Sequence, residues 1–114
     1  MPHFIIHCSD NVLQKVSGKE LMQKVYDTAD STKLFSKGDI KVRIQSFDEF
    51  IAGEGEDDFI HVFGNIMEGR SDGQKQELSS RIVSMLNEIL PEVAIISMNI
   101  RDFDKTGYCN KSMV

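Results

Sequence analysis

The amino-acid sequence predicts an α+β domain in two layers: a duplicated β-α-β unit giving a four-stranded sheet with two helices on one face. Three observations predict it. The hydrophobic period switches from two to about 3.6 and back again, and then does so a second time. Each helical stretch opens on a Ser-x-x-Glu or Ser-x-x-Gln pattern, which can satisfy the orphan amides of a first turn. Each helix is long enough for a crossover, so the strands within each half should pair in parallel through right-handed connections. At 114 residues the chain can bury one core and not two, so residues 1–114 form a single domain.

The first strand spans Pro2 to Cys8, where His3, Ile5 and His7 alternate with Phe4, Ile6 and Cys8. Proline has no amide to donate and is tolerated at a strand's first position. Ser17 and Glu20 open the first helix, and Leu21, Met22, Val25, Tyr26 and Ala29 form its apolar face, with Leu13 and Val16 packed ahead of it. From Asp39 to about Phe50 the period is two: Ile40, Val42 and Ile44 face one way, and Lys41, Arg43 and Gln45 face the other. Gly53 to Asp58 reads as a solvated acidic loop, its spacing unlike that of an EF-hand. The third strand runs from Phe59 to Met67. Ser71 and Gln74 cap the second helix, whose buried face is Leu78, Ile82, Met85, Leu86 and Ile89, and Pro91 ends it. Val93 to Phe103 is the fourth strand, and residues 103–114 form a weakly ordered polar tail. Strands one, three and four carry apolar residues on both sides, so the face away from the helices should be covered, most economically by copies of the same chain.

Composition narrows the function. Apolar residues make up 40% and charged residues 27%, ordinary for a globular chain, and 13 basic against 18 acidic residues give a net charge of −5. That balance disfavours nucleic acid as a partner, and an acidic substrate would need a locally basic pocket. No apolar run approaches a membrane span, and the start lacks the basic and long apolar regions of a signal peptide, so a cytoplasmic setting is expected. Cys8 and Cys109 give neither a disulfide framework nor a metal pattern, and both read as inert thiols. His3 and His7 sit roughly 13 Å apart along one strand at about 3.3 Å per residue, too far to share a metal ion; with His61 they read as hydrogen-bonded sheet-face residues, and no metal is expected.

Pro2 is the unusual candidate. Initiator methionine before a small residue is generally removed, which would leave a secondary amine with a reference pKa near 8. Cations and a dry pocket would lower that value, and a base poised near neutrality suits proton removal beside a carbonyl or enol. With Met1 attached the nitrogen is a tertiary amide and no base at all, so loss of Met1 is expected. Lys41, Arg43 and Arg70 are the second candidates, each otherwise an ordinary solvated charge. Arg70 lies at a strand-to-helix junction beside Gly69, where a guanidinium could hold a carboxylate in bidentate fashion near a helix N-terminus.

The opening Pro2-His3-Phe4-Ile5-Ile6-His7-Cys8-Ser9-Asp10-Asn11 closely resembles the start of 5-carboxymethyl-2-hydroxymuconate Δ-isomerases, members of the tautomerase superfamily. The Ile40-Lys41-Val42-Arg43 and Gly69-Arg70-Ser71 segments are similar to theirs too. The resemblance implies a tautomerase-like fold, a homotrimer closed around its sheet faces, and cofactor-free isomerisation of unsaturated 2-hydroxy (dienol) or 2-oxo acids in the breakdown of aromatic compounds. It makes Pro2 the proton-shuttling base. It also makes Arg70 catalytic, binding a carboxylate or steadying the developing dienolate, with Lys41 and Arg43 as substrate-binding cations. Lys41 stands where the family has arginine, which keeps the charge and loses the fork. Two other readings stand beside this one. One is a non-catalytic small-ligand or regulatory module on a ferredoxin-like sheet. The other is a Pro2-dependent hydratase or decarboxylase-like relative, or an enzyme using Pro2 as a nucleophile.

Overall fold

The computed structural model describes residues 1–114. The strands are β1 (His3–Ser9), β2 (Lys41–Phe47), β3 (Phe59–Met67) and β4 (Ile95–Phe103), and the helices are α1 (Val12–Lys15), α2 (Gly18–Ser31) and α3 (Asp72–Ile89). They form one sheet in the order β2-β1-β3-β4. β1 pairs with β2 in parallel, and β3 pairs with β4 in parallel. The halves join through the antiparallel β1–β3 pair, with His3 opposite Asn65 and His7 opposite His61. This is the duplicated β-α-β architecture that the alternating periods predict.

One face of the sheet and the two long helices enclose the core. Phe4, Ile6 and Cys8 of β1 and Ile60, Val62 and Ile66 of β3 are fully buried against Leu21, Val25 and Ala29 of α2 and Leu78, Ile82 and Leu86 of α3. On β3, Gly64 also points into this layer: a Cβ there would come within 2.9 Å of the ends of Met98 and Ile100. Small size, not backbone conformation, is what that position needs.

Several boundaries differ from the sequence reading, each for a visible reason. β2 ends at Phe47, not Phe50, because its partner β1 ends there: Ser9 lies opposite Phe47, and Phe47 carbonyl accepts from the Asp10 amide at 2.8 Å. At its other end a short 3-10 turn over Lys37–Asp39 precedes it. β4 begins at Ile95, opposite the first residue of β3, because Val93 is turned back on Leu90. The segment ahead of α2 is itself helical for one turn and buries Val12. Ser71 and Gln74 make the reciprocal capping box of α3. Ser17 completes only half of one: its hydroxyl accepts from the Glu20 amide at 3.1 Å, while the exposed Glu20 carboxylate makes no return bond. The C-terminal residues are more structured than a weakly ordered tail. Tyr108 stacks on Phe103 with ring centroids 5.6 Å apart, Glu68 accepts from the Lys105 amide, and Asn110 caps a last 3-10 turn. No helix is long and apolar enough to cross a membrane.

Away from the helices the sheet is graded from end to end. At the amino end of β1 the row across the strands is Lys41–His3–Asn65–Arg101, followed by Arg43–Ile5–Phe63–Asn99. Toward the other end come His7, His61, Phe47 and Phe59, which with Phe63 form a half-buried aromatic belt: both histidines meet Phe63 edge to face, and Phe47 is tilted against Phe59. The acidic 53–58 loop, next to Phe50, lies beyond that belt.

Candidate active site

Pro2 precedes β1 and is fully buried, and its carbonyl accepts from the Lys41 amide at 3.2 Å as the sheet begins. The α-amino group of Met1 lies beside it. Burial lowers the pKa of that amine below its usual 8.0, Asp39 opposes the shift, and Arg70 and Lys41 reinforce it. Three segments therefore converge on the amino terminus: the turn before β2 with Asp39, the start of β2 with Lys41, and the β3–α3 junction with Arg70.

Arg70 reaches that point because Gly69 turns the chain out of β3 with φ +120°, a conformation that favours glycine. Its guanidinium lies 5.0 Å from the centre of the Phe35 ring, and Phe35 in turn packs edge-on against Phe4 in the core. One Nη donates to Leu34 carbonyl at 2.7 Å and the other to Met67 carbonyl at 3.2 Å. A guanidinium carries five N–H donors, so about three stay available to a ligand. Arg70 is thus a braced cation tying the α2–β2 connection to the end of β3. Phe35, which braces it, carried no signal in the sequence beyond being one apolar residue in a polar stretch.

Lys41 is exposed and its ammonium donates to Asp39 carbonyl at 2.8 Å, near the terminal amine. Arg43 projects from the same strand face, over the sheet, and its Nη1 donates to His3 Nδ1 at 3.2 Å. Arginine can only donate, so Nδ1 bears no proton and His3 is neutral in this arrangement. Burial, followed by Arg43, Lys41 and the amino terminus, holds the His3 pKa below its usual 6.5. The charges of Lys41 and Arg70 therefore act on the amine, while Arg43 stands one step along the face, bonded to His3.

Beside His3 and Arg43 a groove of about 400 Å³ opens on the sheet, lined also by Asn65, Arg101, Phe103 and Tyr108. Arg101 was not singled out by the sequence. On β4 it shares the outward period with Ser97 and Asn99, but only the strand register brings it into line with His3 and Lys41. The three ion pairs of the molecule are Lys15–Glu92, Lys75–Asp102 and Arg81–Glu77. None uses Lys41, Arg43, Arg70 or Arg101, so four cations without carboxylate partners gather at one end of an acidic protein.

The other candidates fall elsewhere. His61 is held between Ser97 Oγ at 2.7 Å and Asn99 Oδ1 at 2.6 Å, and His7 is wedged between the rings of Phe47 and Phe63, so the three histidines do not converge. Burial, with Asp10 adding to it, pushes the Cys8 thiol up to about 11, far from a thiolate nucleophile. Cys109 is exposed on the C-terminal segment.

A duplicated β-α-β sheet with cations clustered around the buried amino end of β1 defines the architecture, and comparison with known proteins carries it to an isomerase family. A model of the 5-carboxymethyl-2-hydroxymuconate isomerase family matches residues 2–114. The 5-carboxymethyl-2-hydroxymuconate Delta-isomerase of Escherichia coli is 30% identical over 88 residues, covering 75% of this chain and 70% of that protein. A crystal structure of a 5-carboxymethyl-2-hydroxymuconate isomerase from Deinococcus radiodurans R1 superposes with a TM-score of 0.83 at 24% identity, covering 96% of this chain and 88% of that one. A fused 4-OT assembly, described as a symmetric trimer, shares the fold with a TM-score of 0.80 at 15% identity over 98% of this chain and 94% of its own. The chain belongs to the 5-carboxymethyl-2-hydroxymuconate isomerase family.

Proposed function

We propose that the protein is a cofactor-independent tautomerase. In this reading Pro2, freed of Met1, moves a proton within an unsaturated 2-hydroxy or 2-oxo di- or tricarboxylic acid resembling 5-carboxymethyl-2-hydroxymuconate. The observation that carries this is the gathering of Lys41, Arg70 and Arg43 near the amino terminus, with no carboxylate partner, in a chain of net charge −5. The depressed pKa of the terminal amine supports it. A Pro2 amine in the same place would be neutral, and so basic, in a larger fraction of molecules near pH 7.

The chemistry then balances as follows. The Pro2 nitrogen takes the proton from the 2-hydroxyl of the dienol. The O–H electrons form the C2 carbonyl, the conjugated double bonds shift, and the distal carbon takes a proton back from the Pro2 ammonium. Negative charge passes over the 2-oxygen during this exchange. Arg70, pre-positioned by Phe35, Leu34 and Met67, would stabilise that charge at little cost in reorganisation. Lys41 and Arg43 would hold carboxylates and orient the acid.

Assembly is part of the same proposal. The belt of half-buried aromatic side chains on the uncovered sheet face, and a fold neighbour described as a symmetric trimer, support a homotrimer in which those faces turn inward. Catabolism of aromatic compounds in the cytoplasm is the setting it proposes.

The experiment is an ultraviolet assay of Met1-free protein on 2-hydroxymuconate-type dienols and phenylenolpyruvate, with intact mass to establish the terminus. Turnover that falls by about 10²-fold or more in Pro2→Ala is expected for loss of a general base. Retention of Met1 in the native protein, or full activity of Pro2→Ala, would sink the mechanism. Borohydride trapping of a 2-oxo acid on Pro2 would instead identify the nitrogen as a nucleophile.

A further inference from the structure

The proposed chemistry accounts for three of the four cations gathered at this end and leaves Arg101. Its position is set by topology: β4 lies beside β3, and Arg101 stands opposite Asn65, which stands opposite His3. Two interstrand steps of about 4.8 Å place its backbone roughly 10 Å from that of His3, the residue after the candidate base. The groove between them carries the donors of Arg43, Asn65 and Arg101, with Phe103 and Asp102 also on its wall. Arg43 is fixed there by its bond to His3 Nδ1, Asn65 supplies an amide, and Tyr108 closes the far side by stacking on Phe103. The one carboxylate on its rim, Asp102, is engaged by the Lys75 ammonium at 2.8 Å, so it does not neutralise Arg101.

We infer that Arg101, with Asn65 and Arg43, forms a second carboxylate-binding subsite that selects a dicarboxylic acid over a monocarboxylic one. The inference rests on the proposed function and deepens it. One carboxylate end of the substrate lies near the amino terminus under Lys41 and Arg70, and the other reaches across β1 and β3 to the guanidinium of β4. An open, solvated guanidinium contributes modestly to a single ion pair, but Arg43 and Arg101 face one groove, and a carboxylate between them gains charge-assisted bonds from both.

Two measurements on the Met1-free protein test this. In the first, adipate, a saturated dicarboxylate that cannot be isomerised, is titrated against wild type and Arg101→Gln while the His3 ring resonances are followed. Adipate is expected to shift His3 in wild type, with affinity about tenfold weaker or more in the variant, the scale of a lost charged hydrogen bond. In the second, the ratio of kcat/KM for 2-hydroxymuconate to that for phenylenolpyruvate is expected to fall by about tenfold or more in Arg101→Gln, carried by KM. If neither dienol is turned over while adipate binds and Arg101→Gln weakens it, the proposed catalysis fails and the subsite stands. Equal adipate binding by wild type and Arg101→Gln, or none at all, overturns the subsite. So does loosening of the oligomer by Arg101→Gln without a change in adipate affinity, which would make Arg101 the partner of a neighbouring copy's carboxylate.

Discussion

Arg70 is a cation whose position has been fixed before any ligand arrives. Its charge rests against the Phe35 ring, and two of its donors are spent on the carbonyls of Leu34 and Met67. A lysine at this position would keep the charge but could not brace itself on both carbonyls while still offering a planar pair of donors. Arg70→Lys is therefore expected to lower kcat/KM of the proposed reaction by about 10²-fold, a loss of the size seen when one preorganised donor is removed, with only a small change in Tm. Steady-state kinetics alongside thermal melting would check it, and unchanged kinetics would reduce Arg70 to a structural tie. His3 makes a separate prediction. Its folded pKa lies below 6.5, first through burial and then through Arg43 and Lys41, so the folded protein binds this proton less readily than the unfolded chain does. The unfolded state takes up more protons between the two pKa values, so stability is full above about pH 6.5 and declines as the pH falls through the folded value. Proton titration of the imidazole by NMR should give a pKa below 6.5 in wild type that rises toward it in Arg43→Gln. His3 is only half-buried and its shift is shared among several weak causes, which keeps the effect on stability small.

At the next level, the β3–α3 junction shows how local chemistry positions that charge. Gly69 makes the turn at positive φ, and Ser71 and Gln74 close the capping box immediately after Arg70. Ser71→Ala would leave the first-turn amides without their acceptor and is expected to cost about 1 kcal/mol of stability, read from denaturant midpoints at an unchanged m-value. The turn and cap of this junction were legible in the sequence because Gly69, Ser71 and Gln74 lie within six residues, whereas the brace of Leu34 and Phe35 on Arg70 was not. The core faces of both helices and the parallel pairing of each half were legible for a similar reason, since period and connection length are local signals. What escaped was set by partners distant in the chain. β2 stops at Phe47 because β1 has ended, a limit no periodicity within β2 records. Arg101 alternates with Ile100 and Asp102 like any outward strand residue, and its place beside Asn65 and His3 exists only once β4 has docked on β3. Tyr108 was passed over because its support is a single stack on Phe103 across an otherwise polar segment.

Taken whole, the subunit is layered on one side only. The helices bury Phe4, Ile6 and Val62 completely, while Ile5, Phe63, His7, Phe47 and Phe59 on the opposite face remain half-buried against one another. Phe63 lies within this face, its ring 5.0 Å from His7 and 4.5 Å from His61, and its backbone is paired on both sides by β1 and β4. Its side chain contributes little to the helix-side core, so the fold of one subunit should survive its replacement. In the proposed trimer, Phe63→Glu would bring a carboxylate into the interface, with the imidazoles of His7 and His61 as its nearest polar neighbours and no Lys or Arg in contact with the ring it replaces. Desolvating such an unpaired charge costs several kcal/mol per copy, enough to dissolve an assembly of ordinary interface size. Light scattering is expected to read about 39 kDa for wild type, three chains of 12.9 kDa, and a single chain for the variant, with the far-ultraviolet circular dichroism of the fold retained. Activity measured on the same samples separates two possibilities. If each groove needs a neighbour to exclude water around Pro2, turnover falls with the trimer and returns at protein concentrations that restore it. A variant that is monomeric and fully active at every concentration would show that one subunit carries a finished site.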